Sequence, residues 1–449
     1  MDSKTIISDA RVVDENIDKP KAEYSPPIPV SLREVGLNRD MLIHLIVKIL
    51  YYAGEVTGAY LANRLKLPYT IVDELIEFIK GERMCEVKGM MGIGKTAYKY
   101  AITSLGRDRA REFLEINQYT GPAPVPLVQY SEMVRRQTAS RSYITQETIS
   151  SEFSHLVLSK QMMDTLGPAI NSGKSMFVYG APGNGKSVVS ESIGRMLGGE
   201  VFIPYAIDVD GVIITVFDPI NHRPFDGEKI PETNGFRSPI LSEVQDFDQR
   251  WVNCKRPFVF TGGELTLEML DLSFNEISKF YEAPFQVKAN GGVFLIDDFG
   301  RQLVRPKDLL NRWIVPLEKR VDYLTLHTGK KFELPFDALI IFSTNLRPQE
   351  LIDEAFFRRI RYKIHFNNPT LEEYKEIFKT YCRGKNIVYN PIIVDYIQSE
   401  FYQKHNLELR CCHPRDIIEQ VIDIARYQNV PAALTKELID SACNSYFVK

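Results

Sequence analysis

The chain has 449 residues, too many for one ordinary hydrophobic core, and calls for two or three domains. Its 44% hydrophobic and 25% charged residues are those of a globular protein. A formal net charge of −3 excludes a global field drawing the chain to nucleic acid or anionic membrane. The six cysteines show no metal-ligand spacing, since Cys411-Cys412-His413 lacks a second pair, and they read as buried thiols of a reducing cytoplasm. The first residues lack a basic-then-apolar leader pattern, and no apolar run approaches the roughly 20 residues that span a bilayer. A cytoplasmic protein with no membrane insertion is expected.

Residues 1–38 are polar and proline-dotted and are expected to form a flexible N-terminal tail, with Ser25–Val30 extended. Residues 39–117 then alternate compactly. Helices are expected at Arg39–Ala53, Gly58–Leu65 and Tyr69–Lys80, strands at Met84–Lys88 and Ala97–Thr103, and a closing helix at Arg107–Ile116. Three helices, a two-stranded ribbon and a closing helix make a small winged-helix α+β domain. Its third helix carries Asp73, Glu74 and Glu77, with Glu82 just beyond, which would oppose DNA phosphates. Protein docking is therefore the reading for this domain, with nucleic acid the lesser one. Proline-rich residues 118–150 are expected to be a linker.

The strongest motif follows. Gly180-Ala181-Pro182-Gly183-Asn184-Gly185-Lys186-Ser187 fits G-x-x-x-x-G-K-[ST], the phosphate-binding P-loop. Glycines let backbone N–H groups turn inward around a phosphate chain, Lys186 neutralises its oxygens, and Ser187 offers a hydroxyl to Mg²⁺. An apolar strand, Ser175–Tyr179, enters the loop and a helix, Val188–Leu197, leaves it with its positive end toward the phosphates. Gly89–Thr96 fits the same pattern, but strand-like Ala97–Ile102 follows it, so it reads as a hairpin turn.

Farther along, Gly291–Phe299 is an apolar strand ending in two acids, which looks like a Walker B segment. Asp297 there can hold Mg²⁺ and Asp298 can orient or deprotonate the attacking water. A third strand, Ala338–Asn345, ends in an amide. With Asp353–His365 and the helical stretch beyond Asn367, these motifs follow the order of AAA+ ATPases, which residues from about 150 to 449 resemble. The resemblance implies an α/β P-loop domain with a parallel sheet over 151–368 and a C-terminal helical lid over 369–449. It also implies ATP and Mg²⁺ as ligands and assembly into a ring, expected as a hexamer.

By the same resemblance Asn345 is similar to sensor 1. Arg359 is the first choice for an arginine finger reaching a neighbouring subunit, Arg358 the second, and Arg361 a weaker third. Arg415, after His413-Pro414, is similar to sensor 2. The spacing from Lys186 to Asp297 leaves room for an insert, within which Pro257–Glu264 could form a pore loop or an ordinary turn. Asp322–Leu334 alternates around Gly329 as a β-hairpin, similar in placement to the pre-sensor-1 hairpin group of MoxR-like chaperones, chelatase motors and transcription activators. Asp298 stands where most AAA+ proteins carry Glu, and paired aspartates resemble initiator and helicase-loader ATPases. The function read from the sequence is therefore an ATP-hydrolysing, chaperone-like remodeller of a protein partner. The alternative is a nucleic-acid-associated ATPase of the activator or helicase-loader type.

Overall fold

The computed structural model describes residues 24–139, 143–225, 246–351 and 357–447. Asn38 accepts from the Asp40 N–H and starts a helix at Arg39–Ala53, whose Leu42, Leu45, Ile46 and Ile49 are buried. Strand β1 (Glu55–Thr57) follows, and Thr57 caps the helix Gly58–Leu65. After helix Tyr69–Gly81 the chain folds into a hairpin of β2 (Cys85–Met90) and β3 (Tyr98–Ile102). The antiparallel sheet has the order β1-β3-β2, one strand more than the sequence pattern indicates, because a three-residue strand is too short to show alternation. The closing helix begins at Ser104 rather than Arg107, capped by Thr103. Gly106 is obligatory there, since a Cβ would lie 2.0 Å from the Met84 carbonyl oxygen.

Two expectations about the flanks are corrected. Within the supposed tail, residues 24–38 are ordered against the body: Val35 is fully buried, and the Pro26 carbonyl accepts from the Asp248 N–H. Nor do the described residues of 118–150 form a free linker. Strand β4 (Val125–Pro126) joins a sheet, and the following helix, Leu127–Ala139, buries Tyr130, Met133 and Val134. Apolar side chains between the prolines, invisible to a composition argument, supply the packing.

The next strand, β5 (Ser175–Gly180), is followed by helix Lys186–Met196. The chain then builds a β-rich insert from β6 (Glu200–Pro204), β7 (Ala206–Val209), β8 (Val212–Thr215) and β9 (Trp251–Lys255). Strand β10 (Phe258–Thr261) returns to the central sheet, while β11 (Ser273–Asn275) and β12 (Phe280–Glu282) complete the insert. The insert sheet runs β11-β12-β8-β7-β4, with β6 and β9 paired separately. Its Ala206 and Ile213 lie in the same buried cluster as the helices of residues 39–81, so the N-terminal unit and the insert share one core.

Strand β13 (Val293–Ile296) is followed by helix Pro306–Lys319, the hairpin β14 (Val321–Thr325) and β15 (Lys331–Pro335), then β16 (Leu339–Thr344) and β17 (Tyr362–Phe366). The central sheet has the order β10-β13-β16-β5-β17, and every pairing is parallel. Strands buried on both faces read as continuous apolar runs. Phe177, Phe294, Ile340 and Phe342 face Trp313 on one side, while Met176, Val178, Leu295 and Ile341 face Ile193 on the other. The fold is an α/β P-loop fold around a parallel sheet. Because β10 is a sheet strand, residues 258–261 are not a projecting loop. The Thr261 carbonyl accepts from the Asp297 N–H beside it.

Helices Leu371–Gly384, Pro391–Ile397 (prolonged by a wider turn to Gln403), His413–Tyr427 and Lys436–Tyr446 form the C-terminal unit around Tyr374, Phe378, Ile417, Val421 and Ile439. A capping box between Thr370 and Glu373 fixes its first helix. Among the described residues no helix is long and apolar enough to cross a membrane.

Candidate nucleotide site

Three parallel neighbours, β13, β16 and β5, end at the same edge of the sheet, and polar side chains continue each apolar run there. Gly180, Gly183 and Gly185 adopt φ of 147°, 79° and 86°, backbone that disfavours other residues. A Cβ at Gly180 would strike the Phe366 carbonyl oxygen at 2.3 Å, so the loop lies tight against β17.

The side chains connect across strands. Lys186 Nζ donates to the carbonyls of Gly180 (3.0 Å) and Ala181 (2.9 Å) and to Asn345 Oδ1 (2.7 Å). Asn345 Nδ2 in turn donates to Asp298 Oδ1 at 2.9 Å. Ser187 Oγ donates to Asp297 Oδ2 at 2.7 Å. Burial lowers the Lys186 ammonium pKa, the two aspartates act in the opposite sense, and the charge of Arg410 adds to the lowering. Asp298 has φ 49°, a left-handed conformation that Asp tolerates better than most residues, and it swings the second acid out of line with the strand. The short loop is closed by Gln302, which donates to the Asp297 carbonyl and accepts from the Gly300 N–H. A hydroxyl and a carboxylate oxygen in contact are hard donors of the kind Mg²⁺ takes, so Ser187 and Asp297 fit that ion.

The arginines divide differently. Arg359 Nε bonds Glu318 Oε1 at 2.5 Å, Arg358 is exposed, and the Arg361 guanidinium lies 6.0 Å from the Tyr362 ring centre. In the register of β17 on β5, Tyr362 pairs with Met176, whereas Gly180 pairs with Phe366. Arg358 and Arg359 precede the strand and thus sit toward the far end of the sheet, about 13 Å or more along the strand from the loop of their own chain. Part of the segment preceding them, 352–356, lies outside the described residues. Arg415 bonds Asp416 Oδ1 at 2.8 Å and also reaches Tyr381, both within the helical unit.

The helical unit instead meets the loop through Arg410, Cys411 and Cys412. The Cys412 N–H donates to the Gly183 carbonyl at 2.8 Å, and a Cβ on Gly183 would lie 2.4 Å from Cys412 Sγ. The Cys411 N–H reaches Asn184 Oδ1 at 3.4 Å, and Asn184 Nδ2 donates to Asn368 Oδ1 at 2.8 Å. Arg410 bonds Asn368 and Glu408. Sequence reasoning missed Arg410 and Asn368. The available signal was an arginine shortly before a Pro-started helix, and Arg410 lies on the loop side of that start.

A family model described as a domain of unknown function (DUF8689) matches residues 370–445, the C-terminal helical unit. No curated protein sequence matches the chain. Among solved structures the chain is similar to RuvB of Thermotoga maritima, in two point mutants and in a structure titled as the Holliday junction branch migration motor. Identity is 12 to 13%, TM-scores are 0.34 to 0.36, and the alignments cover 68 to 69% of this chain and 71 to 74% of those. At such scores the likeness carries no argument, and the fold assignment rests on the parallel strand order and the loop at the end of β5.

Proposed function

We propose that the chain is an AAA+ ATPase that binds ATP in the loop 180–187, hydrolyses it, and couples the cycle to remodelling of a protein partner within a homo-oligomeric ring. The observation that carries the reading is the continuous chain Lys186–Asn345–Asp298, beside Ser187–Asp297, across the ends of three adjacent parallel strands. That combination supports phosphoryl transfer to water. Lys186 and the loop N–H groups hold the phosphates, Asn345 orients the nucleophile, and Asp298 takes its proton. Ser187 and Asp297 would hold Mg²⁺, which supplies neutralisation of charge on the phosphate oxygens when bound. Arg359, turned away from its own loop, supports action on a neighbour's nucleotide. Arg410 is the better candidate than Arg415 for the helical unit's contact with the phosphates.

The N-terminal unit, with its β1-β3-β2 order, is read as a winged helix serving as the docking module. Exposed Glu74 and Glu77 on its third helix favour a protein partner over DNA. The test compares ATP binding and phosphate release by the full chain and by Lys186→Ala, with circular dichroism as the folding control. Loss of both activities with an unchanged spectrum is expected. Retained turnover in the variant would overturn the assignment.

A further inference from the structure

Asn368 occupies an unusual position. It lies between Phe366, the last residue of β17, and Thr370, the capped start of the C-terminal unit. The helix beyond it is pinned by the capping box and the strand before it by five parallel pairings with β5. Relative movement of the two units therefore concentrates in residues 367–369. The Asn368 side chain meets a group from each moving part. Its Oδ1 accepts from Asn184 Nδ2 of the loop at 2.8 Å and from the Arg410 guanidinium, and its Nδ2 donates to Glu408 Oε2 at 3.1 Å. Asn184 is only 4% exposed, and its other amide atom accepts from the Cys411 N–H, so its orientation is set by the hinge and the helical unit together. Asn184 lies between Gly183 and Gly185, both at positive φ, at the turn of the loop.

We infer that Asn368 is a positioning residue that transmits the conformation of the loop 180–187 to the C-terminal helical unit, through Asn184 on one side and Arg410 on the other. Phosphate binding reshapes the loop at Asn184; Asn368 follows its donor, and Arg410 and Glu408 follow Asn368. Two hydrogen bonds to one oxygen, one from a charged donor, have the magnitude needed for coupling of roughly five-fold or more in affinity. This inference rests on the reading of residues 180–187 as a nucleotide-binding loop.

The test is hydrogen–deuterium exchange of the full chain with and without ADP, followed at peptides covering 180–190 and 408–416. In the unaltered chain, ADP should slow exchange in both. Asn368→Leu, similar in size without the amide, should keep the protection at 180–190 but reduce that at 408–416, leaving the share carried by the direct Cys412–Gly183 bond. Asn368→Asp, which retains the acceptor oxygen, should restore at least part of it. Equal protection of 408–416 in Asn368→Leu overturns this inference alone. Absence of ADP protection at 180–190 in the unaltered chain overturns the nucleotide reading and the inference with it.

Discussion

Lys186 Nζ and Asn345 Oδ1 lie 2.7 Å apart, so the lysine of the glycine-rich loop is bonded to the residue that ends the neighbouring strand β16. Asn345 thereby stands between a cation and the Asp298 carboxylate. Replacing Asn345 by Ala should lower turnover by about 10²-fold, the usual cost of losing one preorganised polar group at a reacting phosphoryl centre. Nucleotide affinity should change far less. Asp298→Asn should lower turnover at least as much while ATP still binds, and Asn tolerates the left-handed backbone found there. Steady-state phosphate release and equilibrium ATP binding check both, and wild-type turnover in Asp298→Asn would remove its role as base.

Arg359 is expected to work in trans. Neither Arg359→Ala nor Lys186→Ala should hydrolyse ATP alone, yet a mixture should recover part of the activity, because some interfaces then join an intact loop to an intact arginine. Size-exclusion chromatography establishes that both variants still assemble. Assembly without recovery would assign Arg359 only to its ion pair with Glu318.

A stability prediction concerns the junction of the N-terminal unit and the insert. Asp248 and Arg250 are 3% and 1% exposed, and Arg250 also donates to the carbonyls of Val35 and Pro124. Asp248→Ala leaves the guanidinium buried without its carboxylate and should destabilise the fold by about 3–5 kcal/mol. The measurement is thermal unfolding. A melting temperature within a degree or so of wild type would show that solvent reaches the arginine.

His222 governs an acid limb. Its Nδ1 accepts from the Asp218 N–H and its Nε2 meets the Lys288 carbonyl, so the ring is held neutral. Burial, above all, pushes its pKa from 6.5 down to about 4. The unfolded chain then binds more protons between these values, and stability is present above pH 6.5 and lost as pH falls toward 4. His413, also lowered to about 4, acts in the same direction. His222→Gln should flatten part of this limb in melting temperatures recorded from pH 4 to 7.

The residues of the sheet edge were legible because each is local. An apolar run ending in Asp297, Asn345 or Gly180 marks a buried strand and the group it delivers to the edge. The same locality marks the stretch beyond Asn367 as helical. Arg410 was not legible, since its relation to Asn184 spans more than two hundred residues and depends on how the helical unit folds back. Strand β4 was hidden for another reason. Val125-Pro126 sits among prolines, yet a proline carbonyl can still accept at a sheet edge, and Val125 fills a buried site beside Ile207. Arg415 lies at the Pro-started helix that the sequence marks, and its side chain bonds Asp416 and reaches Tyr381.

The shared core of residues 39–81 with Ala206 and Ile213 bears on what the N-terminal unit can be. Excising it would uncover apolar surface on the insert, so it is no detachable cassette. On the proposed function, a partner gripping its outer helices would hold a handle continuous with the insert. Force generated where the sheet meets the C-terminal helices would then reach that partner without slack.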